Sequence, residues 1–187
     1  MDPAGDIKIM DPAVDLPEGK DGFNLFNNLR DKNKNLKTLI SIGGRDEGSV
    51  DFSAVAADAD KRKLFADNAL KFVKEYKFDG LDVSWQYPGE RGGDKADKAN
   101  FVLMLKEIKE KFEKDKLLLS IAVGSNSTLA RIAYDIPEIS KYVDWMNFMS
   151  FDFSDMTANV TSFNAPLYGS NEGDTWDIVS KFNLIRY

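Results

Sequence analysis

The sequence predicts an α/β fold built on a parallel sheet. Three observations predict it: four short apolar runs that end in glycine or polar residues, amphipathic helical patterns between them, and polar, glycine-rich segments that follow the ends of the runs. Strand–helix–strand alternation at this spacing makes right-handed crossovers, which set the strands parallel. Folds of this kind place their sites beyond the C-terminal ends of the strands.

The elements follow in order. Phe23, Phe26 and Leu29 predict a first helix. Residues 37–42 form the first β-rich run and close on Gly43-Gly44. Phe65, Ala69, Phe72 and Tyr76 step by four, three and four residues, which lays one apolar stripe along a helix. Residues 78–85 form the second run, and the charged, glycine-rich segment 88–97 after it reads as a surface loop. Phe101, Leu105, Ile108 and Phe112 repeat the helical stripe. Residues 117–123 form the third run, ending at Gly124, and Pro137 suits the first turn of a short helix. Residues 143–151 form the fourth, ending at Asp152. Each run is almost continuously apolar, the pattern of parallel strands buried on both faces. No repeat or linker divides the chain, so residues 1–187 read as a single domain.

Composition excludes several chemistries. The net charge is −6, and no Lys/Arg cluster supplies the basic footprint that a nucleic-acid partner requires. No apolar run is long enough to cross a bilayer, and the acidic, proline-broken residues 1–15 are unlike a signal peptide. The chain has no cysteine and no histidine. Disulfides, the usual zinc sites, a thiol nucleophile and an imidazole base are therefore absent. Catalysis would rest on carboxylates, hydroxyls, lysines or amides. Two glycosylation tripeptides begin at Asn126 and Asn159. They are weak pointers to a secreted protein, because such tripeptides are common by chance.

The second run carries the most informative chemistry: Phe78-Asp79-Gly80-Leu81-Asp82-Val83-Ser84-Trp85-Gln86-Tyr87-Pro88-Gly89. Polar side chains at Asp82, Ser84 and Gln86 recur every second residue, so on a strand they share one face. Polar groups on an inner face need partners. Read alone, the file is a satisfied polar layer at a strand end.

This segment resembles the Asp-x-x-Asp-x-Asp-x-Glu signature of family 18 glycoside hydrolases, the chitinases and chitinase-like proteins. Leu36–Gly44, Ala133-Tyr134-Asp135-Ile136-Pro137, Met149-Ser150-Phe151-Asp152 and Asn164-Ala165-Pro166-Leu167-Tyr168 are similar to other family motifs, in order. The resemblance implies a partial (β/α)8 barrel that holds about strands three to six with their helices. A complete barrel takes about 250 residues. It implies chitin or chito-oligosaccharide as partner, a secreted location, and no metal, nucleotide or redox cofactor.

The departures change the expected activity. In the family, the substrate's own N-acetyl group attacks the anomeric carbon, and the final Glu protonates the leaving oxygen. Gln86 stands at that position and has no acidic proton to give. Ser84 stands where an Asp stabilises the N-acetyl group, and Phe151 where a Tyr donates its hydroxyl. Asp79, Asp82 and Asp152 match. Trp85, Gln86, Tyr87, Met149 and Asp152 are the expected sugar-binding residues. Arg45 replaces the Trp with which the third-strand motif usually continues. No catalytic set is intact, so the expected protein binds amino-sugar chains without cutting them, similar to imaginal disc growth factors. Two other readings stay open: a weakly active chitinase, and a structural or signalling fragment in which the aspartates and Trp85 serve packing alone. A partial barrel has two open strand edges, which favour self-association.

Overall fold

The four apolar runs form four parallel strands in spatial order β1-β2-β3-β4: β1 Leu39–Gly44, β2 Gly80–Trp85, β3 Leu118–Gly124 and β4 Trp145–Met149. The computed structural model describes residues 1–153 and 163–168. Register aligns Ser41, Asp82, Ser120 and Trp145 across the sheet. Gly80 lets the central strands approach, because a Cβ there would collide with the Leu118 carbonyl. Gly43 has a left-handed φ of 103°, and a Cβ on it would lie 2.5 Å from the Ser84 carbonyl.

Three short helices, α1 Pro12–Asp15, α2 Gly22–Asn27 and α3 Leu29–Lys32, precede β1. The helix expected around Phe23, Phe26 and Leu29 is thus two helices, broken at Asn28. The Asn27 carbonyl accepts from the Arg30 guanidinium (3.0 Å), and the Asp31 N–H turns to the Asn28 carbonyl instead. The Asn27 side chain is also committed elsewhere, donating to the Tyr76 carbonyl (2.8 Å) and accepting from Thr38 (2.5 Å).

Helices α4 Val50–Ala57 and α5 Ala59–Glu75 join β1 to β2. Asp58 caps α5 by accepting from the Lys61 and Asp60 N–H groups, and those bonds hold its carboxyl below the usual aspartate range. Helix α6 Asp97–Phe112 and a 3-10 turn, Glu113–Asp115, join β2 to β3. Helices α7 Ser127–Ala133 and α8 Ile136–Ile139 join β3 to β4. Phe65 and Ala69 of α5, and Phe101, Leu105, Ile108 and Phe112 of α6, enter the core as their spacing predicts. Phe72 and Tyr76 instead meet Phe23, whose ring lies 6.1 and 5.1 Å from theirs, and so hold α2 against α5. Arg62 ties three helices together through Glu107 on α6 (3.0 Å) and the Ala56 carbonyl on α4 (2.7 Å).

The helices cover one face of the sheet. Ile42, Leu81, Val83, Trp85, Leu119, Ile121 and Val123 are buried there. The opposite face carries Ser41, Gly43, Asp82, Ser84, Ser120, Ala122, Trp145, Asn147 and Met149. The expectation of burial on both faces holds for most of β2 and β3 but fails for the edge strands. Ser41 and Asn147 are exposed and Trp145 is 40% exposed, because β1 and β4 each have one strand neighbour among the described residues.

Candidate functional site

Asp82 is the hub of the polar face. Its carboxylate accepts from Ser41 on β1 (2.8 Å), Ser120 on β3 (2.6 Å) and Asn147 on β4 (2.9 Å), so one side chain links all four strands. Those three partners were not singled out from the sequence. The period-two alternation that placed Asp82, extended to the other strands, would have found them.

Towards the C-terminal end of β2, Ser84 is buried and Gln86 half-buried. The Gln86 amide donates to the Ser84 hydroxyl (3.3 Å) and contacts the Met149 sulfur (3.5 Å). Asp82, Ser84, Gln86 and Met149 therefore share one face. The Tyr87 ring lies against Gly124 at the same end of the sheet. Phe151, half exposed, and Asp152, with a left-handed φ of 58°, follow β4. Among the described residues, neither is hydrogen-bonded to Ser84 or Gln86.

Two expected site residues lie elsewhere. Trp85 faces the helices, not the polar face. It is fully buried, stacked on Phe52 at 5.2 Å and edge-on to Phe101, with its indole N–H donated to Ser49 (2.9 Å). Strand alternation requires this, since its neighbours Ser84 and Gln86 point the other way. Asp79 shares the sequence motif but sits at the N-terminal end of β2, away from Gln86. It accepts from the Thr38 backbone N–H (2.9 Å), Arg30 (3.0 Å) and Lys37 (3.3 Å). Burial raises its carboxyl pKa, but these bonds and the two cations outweigh burial and hold it below the usual range.

The loop after β2 is fixed by a carboxylate the sequence did not reveal. Asp97 is fully buried and accepts from the backbone N–H groups of Asp94 (2.8 Å) and Gly89 (3.1 Å) and from Ser53 (2.6 Å). Arg91, within that loop, donates to the backbone carbonyls of Arg45 and Gln86. Arg45, Gln86, Tyr87 and Arg91 line a cavity of about 240 Å³. Behind the end of β3, the Gly124 N–H donates to the Tyr134 hydroxyl (3.4 Å), and burial pushes that phenol far above its usual range. Asn126 is exposed and caps α7 through its side-chain oxygen, 3.0 Å from the Leu129 N–H. Asn159 lies outside the described residues. No cluster of three or more His, Cys, Asp or Glu residues suited to a metal occurs among the described residues. None of the described helices is long and apolar enough to cross a membrane.

The chain and its fold are similar to known proteins. The chain is 39% identical over 163 residues to "Probable chitinase 2" of Drosophila melanogaster, covering 86% of this chain and 34% of that relative. Its fold superposes on the group IV chitinase of Ostrinia furnacalis, solved with allosamidin, at a TM-score of 0.91 and 35% identity. That match covers 98% of this chain and 51% of the other, so the chain spans about half of that solved structure. YKL-39, solved in the presence of chitooligosaccharides, matches at a TM-score of 0.80 and 28% identity over 97% of this chain and 50% of its own. The α/β sheet is thus a four-stranded part of the barrel that these proteins share. The family model "Glycosyl hydrolases family 18" matches residues 1–185, and the chain belongs to that family.

Proposed function

We propose that this protein binds chitin or N-acetylglucosamine oligosaccharides on the polar face of its sheet without hydrolysing them. The observation that carries the reading is Gln86. At the strand end where the reaction needs a proton donor stands a carboxamide, its N–H already directed at Ser84 and Met149. Loss of a general acid alone lowers a rate by roughly 10²–10⁴. Ser84 adds a second deficit, because a hydroxyl brings no negative charge to a developing cation.

The reading groups the protein with inactive chitinase-like proteins of the imaginal disc growth factor kind. It extends to secretion, to glycosylation at Asn126 and Asn159, and to self-association through the edges of β1 and β4. The chain spans about half the length of the solved relatives, and the contacts proposed are those its own strands carry. Tyr87, Met149 and Asp152 remain the proposed contacts beside Gln86. Trp85 is not among them, because its ring is buried in the core.

Calorimetric titration with chitopentaose, beside a product assay, tests the reading. Binding at micromolar concentration with no product is expected. Product formation would overturn it in favour of a weakly active chitinase. A well-folded chain with no affinity would leave a structural or signalling role. A companion variant, Gln86→Glu with Ser84→Asp and Phe151→Tyr, is expected to gain measurable hydrolysis. Its continued silence would mean that the groove is broken beyond these positions.

A further inference from the structure

The cavity beside Gln86 is lined by two arginines, one glutamine and one tyrosine, and no carboxylate takes part. Arg45 and Arg91 are both exposed. Among the described residues neither guanidinium has an acidic partner. Arg91 spends its Nη1 hydrogens on the backbone carbonyls of Arg45 and Gln86, which fixes its position without neutralising it. Asp46 and Glu90, each next in sequence to one of the arginines, form no ion pair with either among the described residues and do not line the cavity, and Glu47 is paired with the N-terminal ammonium at 2.7 Å. The two cations thus face the same cavity without an ion-pair partner, in a chain whose net charge is −6. Arginine is also the side chain best matched to carboxylate and sulfate oxygens, through paired N–H donors.

We propose that this cavity selects sugar chains carrying an anionic group, a carboxylate or a sulfate, held between Arg45 and Arg91 beside the Gln86 amide. The proposal rests on the sugar-binding reading and narrows its ligand class. Tyr87 supplies an aromatic surface next to the cations, and Gln86 a neutral carbonyl acceptor, so the sugar ring and its charged substituent are served by different side chains.

The experiment is a set of calorimetric titrations of the purified chain with three probes: neutral chitotetraose, 6-O-sulfated chitotetraose and a hyaluronan tetrasaccharide, which alternates N-acetylglucosamine with a carboxylate sugar. The expected result is at least tenfold tighter binding of one or both anionic probes, with an affinity that falls as salt is raised. The probe that gains identifies sulfate or carboxylate. Arg45→Glu, whose side chain makes no hydrogen bond among the described residues, is expected to abolish the gain while thermal melting stays unchanged. Arg91→Ala should reduce it similarly. Equal or tighter binding of the neutral probe, or a gain that survives Arg45→Glu, overturns the proposal and leaves the neutral chitin reading standing. Failure of all three probes to bind overturns both.

Discussion

A single carboxylate, Asp82, accepts hydrogen bonds from Ser41, Ser120 and Asn147 on the three other strands. Only Ser120 among these donors is buried, so water can satisfy the other two when the carboxylate is removed. Asp82→Ala is therefore expected to cost about 1–2 kcal/mol, the penalty of one orphaned buried donor, in urea denaturation. Asp79 differs because its partners include two cations and a backbone N–H. Asp79→Asn is expected to cost about 2 kcal/mol at neutral pH. The sign follows from the lowered pKa: the stabilisation is complete above the ordinary aspartate value of 3.8 and is lost as pH falls through the lower folded value. Wild type and Asp79→Asn should thus converge in stability below that window, and a constant difference down to the most acidic pH would refute the ion-pair account.

At the scale of elements, β2 divides its work by face. Trp85 points into Phe52 and Phe101, whereas Gln86 points to the polar side. Trp85→Ala is expected to destabilise by about 3–5 kcal/mol, measured by denaturant unfolding. Gln86→Ala should change stability by less than about 0.5 kcal/mol yet weaken sugar binding. An equal effect of both variants on stability would contradict the assignment of faces. All four strands and the two long helices were legible in the sequence, because apolar runs and four-three-four stripes report directly on burial. Helix α4 was not, since the residues Val50–Ala57 are small or apolar nearly all round and carry no narrow stripe. The break at Asn28 was also hidden, because it goes with a local bond from Arg30 to the Asn27 carbonyl and tertiary bonds from Asn27 to Tyr76 and Thr38. The file Asp82, Ser84, Gln86 was read correctly as one face. Trp85 and Asp79 were grouped with it because a linear motif does not separate the two faces or the two ends of a strand. Asp97 had no signal at all, as its partners Ser53, Gly89 and Asp94 come from a helix and a loop.

Among the described residues the sheet has four strands, and β1 and β4 each pair on one side only. Unpaired strand edges present rows of N–H and C=O groups that another chain can satisfy. The exposed rings of Trp145 and Phe151 lie on or just beyond β4 and add apolar area there. Sedimentation equilibrium is expected to give a weight-average mass that rises with concentration above the 21.0 kDa of the chain. A constant monomer mass, with little binding of a hydrophobic dye, would contradict self-association.

The buried carboxylate of Asp97 bears on the affinity of the proposed site. By fastening Gly89 and Asp94 it holds the loop that carries Arg91 in one shape before any ligand arrives, so the entropy of ordering that loop is lost during folding and not on encounter. Such preorganisation avoids the loss of apparent affinity that follows when only a fraction of molecules is competent to bind. Without the anchor, the same arginine would visit its binding position only part of the time, and the apparent affinity would fall by that fraction although no group touching the ligand had changed.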